Sequence, residues 1–173
     1  MKPFVEFAVY GVAQPRGSKR SLVPTGRGGQ PFRKNGRIVV STVDSNPKSK
    51  DWMRLVAREA GEAMRDADLQ PTRLPVALSV TFYRARPKGH FGSGRNAGRL
   101  KPSSPAWPAT KPDMSKLLRA VEDALSGVVY HDDAQIVAEQ LVKDFDETPR
   151  IEVSVVLLEE TAGARRVGGE DFF

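Results

Sequence analysis

Between residues 111 and 136 the chain reads KPDMSKLLRAVEDALSGVVYHDDAQI, an amphipathic helix with an acid ahead of it and an acidic pair behind it. Leu117, Leu118, Val121, Ala124, Leu125 and Val128 recur at the spacing of one helical face, while Arg119, Glu122 and Asp123 fall on the other. Gly127 is placed to end the element, which the periodicity puts at about Lys116 to Ser126. Asp113 therefore stands at one end of the helix, and Asp132 and Asp133 stand past the other. Carboxylate oxygens are the hard ligands that Mg²⁺ prefers, and it usually takes only one or two from protein, filling the rest with water and phosphate.

Charge is divided along the chain. Residues 1–111 hold 21 Lys and Arg against 7 Asp and Glu, whereas residues 112–173 hold 6 against 14, so a segment of +14 precedes one of −8. The basic residues cluster in glycine-rich loops rather than on helix faces, which suits a polyanion held largely by counterion release. With 173 residues there is room for one domain with a real core. The absence of cysteine excludes disulfides and thiolate-held zinc, and two histidines, His90 and His131, are too few for a histidine metal cluster. No run approaches the roughly 18 apolar residues of a membrane span. The opening MKPFVEFAVYGV alternates like a strand and carries Glu6, unlike a signal peptide, so the expected compartment is the cytoplasm.

Phe4–Val12 alternates as a strand with both faces apolar, which predicts a central place in a sheet. A loop rich in Gly, Pro and Arg follows, with Asn35-Gly36 as a tight turn before a strand at Arg37–Thr42. Lys48–Asp66 is a helix whose stripe of Trp52, Leu55, Val56, Ala60, Ala63 and Met64 points to the core. Pro75–Arg84 is a strand, and Ala134–Lys143 and Arg150–Leu158 are two more, joined by the polar turn DFDETP and expected to pair antiparallel. The fold class is α+β: a single domain over residues 1–160, a mixed sheet with two main helices, basic loops at 13–37 and 84–111, and a flexible tail over 161–173.

The second basic loop holds six Lys or Arg after Arg84 and no acid. Loops of that length are usually functional or disordered, and Phe91 and Trp107 are suited to stacking on exposed bases. Candidate DNA contacts are Arg16, Lys19 and Arg20 in the first loop and Arg86, Lys88, Arg95, Arg99 and Lys101 in the second, with Lys116 and Lys143 beyond them.

A helix of about eleven residues is about 16 Å long, so Asp132 and Asp133 meet Asp113 only if the strand after the helix returns past the helix start. If they meet, two or three carboxylates converge beside Arg119 and a basic loop, the composition of a metal-dependent phosphodiesterase. If they do not, Asp113 is an N-cap and Asp132-Asp133 a turn pair. The residues alone leave both open.

The pattern K-P-D-x-x-x-L-x-R-x-x-x-D-A-L-x-G-V-V-x-x-D-D-A-Q-I over residues 111–136 resembles the signature of the RusA family of Holliday junction resolvases, endonucleases common in phages and prophages. Weaker echoes stand in the RPKxH…GRNAG loop and at Lys143. The resemblance implies a small homodimer that binds four-way DNA junctions and makes paired nicks with Mg²⁺; Mn²⁺, which binds the same ligands more strongly in the usual divalent order, is expected to substitute. It places catalysis on Asp113, Asp132, Asp133 and Arg119. The metal would fall to Asp113 and Asp133, with Asp132 ligating or orienting and Ser115 at the position of a second family aspartate. Arg119 stands where the family has lysine, and Lys116 where asparagine is usual. Ser115 brings no charge, so either another acid compensates, Asp44 or Asp123 being nearest, or activity is reduced. The competing reading is a branched-DNA-binding homologue whose chemistry has weakened or been lost.

Overall fold

Val76, Ala77, Leu78, Val80 and Phe82 leave the strand they occupy with little polar surface, and that strand becomes the middle of the protein. The computed structural model describes residues 2–158, the side chains of Lys19 and Asp44 excepted. In chain order the elements are β1 (Val5–Tyr10), β2 (Lys19–Leu22), β3 (Arg33–Lys34), β4 (Arg37–Ile38), β5 (Ser41–Asp44), α1 (Lys48–Asp66), β6 (Val76–Arg84), α2 (Met114–Leu125), β7 (Ile136–Phe145) and β8 (Arg150–Leu157). Four strands form one mixed sheet in the order β1-β8-β6-β7. Strand β6 pairs antiparallel with β8 and parallel with β7, and α2 makes the crossover that a parallel pair requires. The expected single α+β domain with a mixed sheet and two main helices is what the chain forms.

Two pairings differ from the sequence expectation. The strands β7 and β8 do not form a hairpin; each takes one edge of β6. A four-residue turn permits either arrangement, and the buried apolar surface of β6 is worth covering on both sides at about 25 cal/mol per Å². Strand β1 lies at an edge, paired only with β8, with Val5 and Val9 buried and Tyr10 exposed.

Both helices cover the same face of the sheet. Trp52, Val56, Ala60 and Met64 of α1 and Leu117, Leu118, Val121 and Leu125 of α2 close over the centre of the sheet, where Leu78, Val80, Phe82, Ile151, Val153 and Val155 meet them. Truncating one such large residue to alanine costs about 2–5 kcal/mol. Val153 and Val155 are thus core residues, 3% and 0% exposed, and do not offer the subunit-contact surface that their apolar character suggests. Leu157 is partly buried against the same core. The Phe172-Phe173 pair and the tail at 161–173 lie outside the described residues.

The basic loops carry more structure than their composition predicts. In the first, β2 pairs with β5, and β3 with β4 around Asn35 (φ 52°) and Gly36 (φ 75°), the left-handed pair that a two-residue hairpin turn demands. The second has short 3₁₀ turns at Lys88–His90 and Gly94–Asn96 and a bridge between Phe91 and Leu100.

Candidate active site

The exposed side of α2 presents Ser115, Arg119 and Glu122 one above another at helical spacing, flanked by Lys116 and Asp123. Beside it runs β7, an edge strand. Its Glu139, Leu141 and Lys143 pair with Leu78, Val80 and Phe82, so these three side chains share the helix-bearing face. Glu122 is hydrogen-bonded to Glu139, while Lys143 reaches the segment just before α2, its Nζ donating to the carbonyls of Thr110 (3.0 Å) and Pro112 (3.3 Å). The spacing explains the match. From Lys143 back to Glu139 is about 13 Å of strand, and from Asp113 to Glu122 is about 14 Å of helix. Helix and strand therefore run antiparallel in step.

That geometry decides the fate of the acids. The strand does return past the helix start, but it brings Lys143 there rather than the aspartates, which lie at the strand's beginning. Asp133 acts electrostatically on Glu122 and Tyr130, both in the second half of the crossover. Asp113 stands at the other end, exposed, 3.8 Å from the Lys116 ammonium. It occupies the N-cap position of α2 in extended conformation (φ −69°, ψ 144°), yet its side chain caps nothing. Its carboxylate opens on a groove lined by Val12, Gln14, Lys111, Pro112 and Lys116. Asp113, Ser115, Asp132 and Asp133 are not gathered at one point. Among the described residues no three His, Cys, Asp or Glu side chains stand close enough to cage a metal on protein ligands alone.

Within the acidic pair the two residues differ. Asp132 is an N-cap: its Oδ1 accepts from the Ala134 amide (2.9 Å), and Gln135 Oε1 accepts from the Asp132 amide (3.0 Å). Gln135 also accepts from the His131 amide and donates to the carbonyls of Thr72 and Leu74, tying this turn to the chain ahead of β6. This gives the D-D-x-Q spacing a structural purpose and, of the two exposed aspartates, leaves Asp133 as the one without a capping role.

Glu122 and Glu139 were not singled out by the sequence. Glu122 has its carboxyl pushed up to about 7, by burial first, then by the hydrogen bond its protonated form can donate to Glu139 and by the charges of Glu139, Asp133 and Asp123. Glu122 therefore keeps its proton to higher pH than an ordinary glutamate does. The Tyr130 hydroxyl, fully buried, donates to the Glu122 backbone carbonyl (3.2 Å), and its own ionisation is pushed upward by burial. A legible signal did exist, since Glu122 follows Arg119 by one turn and Glu139 shares the parity of Lys143 along β7. Of the acids proposed to compensate for Ser115, Asp123 is engaged by Arg16 (3.0 Å) and the side chain of Asp44 is not described.

On the other flank of α2 lies an open cavity of about 900 Å³ lined by Arg16, Ser18, Asn46, Lys50, Arg119 and Asp123, among others. Arg119 and Lys50 are exposed and make no hydrogen bond or ion pair among the described residues. The other cations divide. Arg20, Lys88, Arg95 and Arg99 are exposed with unpaired side chains among the described residues. Arg86 lies 4.2 Å over the Phe145 ring and donates to the Pro105 carbonyl (2.9 Å), and Lys101 donates to the Gly89 carbonyl (2.8 Å), so both hold the second loop together. The side chain of Lys19 is not described. Trp107 is exposed, as a stacking residue needs to be, while Phe91 is half-buried.

The donor set suits a hard divalent cation at the Glu122–Glu139 end. It is all oxygen, and the charges of Glu139 and Asp133 are near enough to Glu122 to help raise its carboxyl, a repulsion that a cation would relieve. An ion content with one or two protein carboxylates needs no more.

The chain matches the family model described as endodeoxyribonuclease RusA over residues 21–156. It is 31% identical over 155 residues to "Uncharacterized protein YqaN" of Bacillus subtilis (strain 168), across 87% of this chain and 94% of that protein. The resemblance carried by residues 111–136 thus extends through nearly the whole described structure, and the chain belongs to the RusA endodeoxyribonuclease family.

Proposed function

We propose that this protein is a divalent-metal-dependent, structure-selective endodeoxyribonuclease that resolves four-way DNA junctions by paired phosphodiester hydrolysis. The observation that carries this is the place of Arg119, a guanidinium unpaired among the described residues, on the wall of a cationic groove and one turn from the raised carboxyl of Glu122. A guanidinium left without a protein partner is suited to a phosphate, which it binds with fixed planar geometry. Mg²⁺, or Mn²⁺ in its place, would be held by Glu122 and Glu139 with Asp133 beside them, supplying positive charge at the phosphoryl oxygens and an acidified water. Arg119 neutralises the scissile phosphate, Asp133 holds a water or its proton, and Lys50 and Arg16 line the path of the strand. Asp113, with Ser115 in the next turn, keeps the ligand role that the family pattern implies as an alternative position at the other end of the same helix face.

Paired symmetric nicks need two active sites related by a two-fold axis, which a closed homodimer supplies. Light scattering at micromolar concentration, with the stoichiometry of junction binding, tests this; a monomer bound 1:1 overturns it. The decisive experiment for the function is a nicking assay on a four-way junction and on linear duplex of the same sequences, with Mg²⁺, Mn²⁺ or EDTA. Metal-dependent cutting confined to the junction is expected. Tight junction binding without cutting favours the second reading, a branched-DNA-binding homologue, which the uncharged Ser115 and the absence of a three-acid cluster among the described residues support.

A further inference from the structure

Charge alone marks Lys143 as a DNA contact, yet its ammonium is spent inside the protein. It sits half-buried on β7 and donates to two carbonyls, those of Thr110 and Pro112. From the neighbouring parallel strand, Arg84 donates to the same Thr110, at its carbonyl (3.3 Å) and its Oγ1 (3.3 Å). Two adjacent strand ends thus grip one residue of the loop that leads into α2. Three residues later comes Asp113, whose side chain does not cap the helix and whose one ion pair among the described residues, 3.8 Å to Lys116, is to the same first turn, so its place is set by the backbone that carries both. A partly buried ammonium without acceptors is costly, and two carbonyls at hydrogen-bond distance meet that cost while fixing the geometry of the acceptors.

We propose that Lys143 is a positioning residue for the nuclease site: with Arg84 it clamps Thr110–Pro112 to the sheet and thereby sets the start of α2, and with it Asp113 and the rise of Ser115 and Arg119 along the helix. This goes beyond the proposed function and rests on it for its catalytic consequence only. The clamp converts the C-terminal end of the β6–β7 pair, otherwise a loop-covered sheet end, into the reference point for the helix face that does the chemistry. A lysine that touched phosphate would act on affinity and on its salt dependence; a clamp acts on the rate of cutting at saturation.

The test uses the full chain with Lys143→Met and Lys143→Arg, a fluorescent four-way junction as the probe, binding in EDTA, and single-turnover cutting with Mn²⁺ at saturating protein. For Lys143→Met, affinity within about two-fold of the original is expected, with an unchanged salt slope and a saturating rate lowered at least ten-fold. Lys143→Arg, which can reach both carbonyls, is expected to restore most of that rate. Hydrogen exchange is expected to accelerate at the amides of 110–117 and nowhere else. Weaker binding with a slope reduced by about 0.9, as when one phosphate is no longer neutralised, and a normal saturating rate would overturn the clamp, as would unchanged exchange. Where Lys143→Met does not fold, Arg84→Met takes its place with the same expectations. The two readings fail separately: no cutting by the unaltered chain sinks the nuclease, while unchanged exchange in the variant sinks the clamp.

Discussion

Glu122 of α2 and Glu139 of β7 face each other across the seam between the helix and the edge of the sheet, close enough that Glu139 helps to raise the Glu122 carboxyl. Neither belongs to the acidic pattern that marks the family in this sequence.

The pair makes stability depend on pH. Glu122 is raised from its ordinary 4.5 to about 7, so between those values the folded chain holds a proton that the unfolded chain has lost. Stability therefore falls as pH rises through that window and levels off above it. Urea midpoints at pH 5 and pH 8, in EDTA, should show the decline, and Glu122→Gln should flatten it. Equal midpoints for the original protein at both pH values would contradict the raised Glu122 carboxyl.

Metal affinity should move the other way. A cation that replaces the proton on Glu122 binds more tightly as pH rises through about 7. Calorimetric titration with Mn²⁺ should show this, and Glu139→Gln should weaken binding at least ten-fold. Ser115→Asp places a carboxylate in the first turn of α2 instead, away from the pair. It should leave the Mn²⁺ affinity within about two-fold while raising thermal stability slightly through the helix dipole. A large gain in affinity from Ser115→Asp would return the metal to the Asp113 end.

Asp132 and Asp133 should separate cleanly. Asp133→Asn is expected to lower junction cutting at least a hundred-fold with binding retained or tightened, since a negative charge near phosphate is removed. Asp132→Asn keeps a good capping residue and should be nearly silent, whereas Asp132→Ala should cost about 0.5–2 kcal/mol of stability. Paired melting and cutting measurements on the three variants check this; equal loss of cutting in Asp132→Asn would assign that residue to the chemistry.

In the second basic loop, exposure sorts the arginines. Arg95→Ala with Arg99→Ala should weaken binding to every DNA shape and lower the salt slope by about 0.9 for each phosphate left without its cation. Arg86→Ala should instead loosen the loop, because it removes the cover over Phe145 and the bond to Pro105. Proteolysis of the loop with and without DNA, alongside the salt series, distinguishes the two effects.

Much of this was legible along the chain. The stripe of Trp52, Val56, Ala60 and Met64 specified α1 and the face it buries, and Asn35-Gly36 specified its turn, because helix faces and turn conformations are local properties of a few neighbours. The acid–helix–acid stretch at 111–136 likewise marked both the crossover and the family. What no local pattern carried was which strand takes which edge. The turn after Phe145 suits a hairpin, and only competition for the apolar flanks of β6 sent β7 and β8 to opposite sides of it. The same packing set α2 antiparallel to β7, brought Lys143 to the segment that carries Asp113, and left Asp133 at the far end. It also joined Glu122 to Glu139, seventeen residues apart in the sequence. A helix repeats every 3.6 residues and a strand every 2, so no single period in a sequence says which rung of one will face which rung of the other; that is decided when the two are packed on the same sheet.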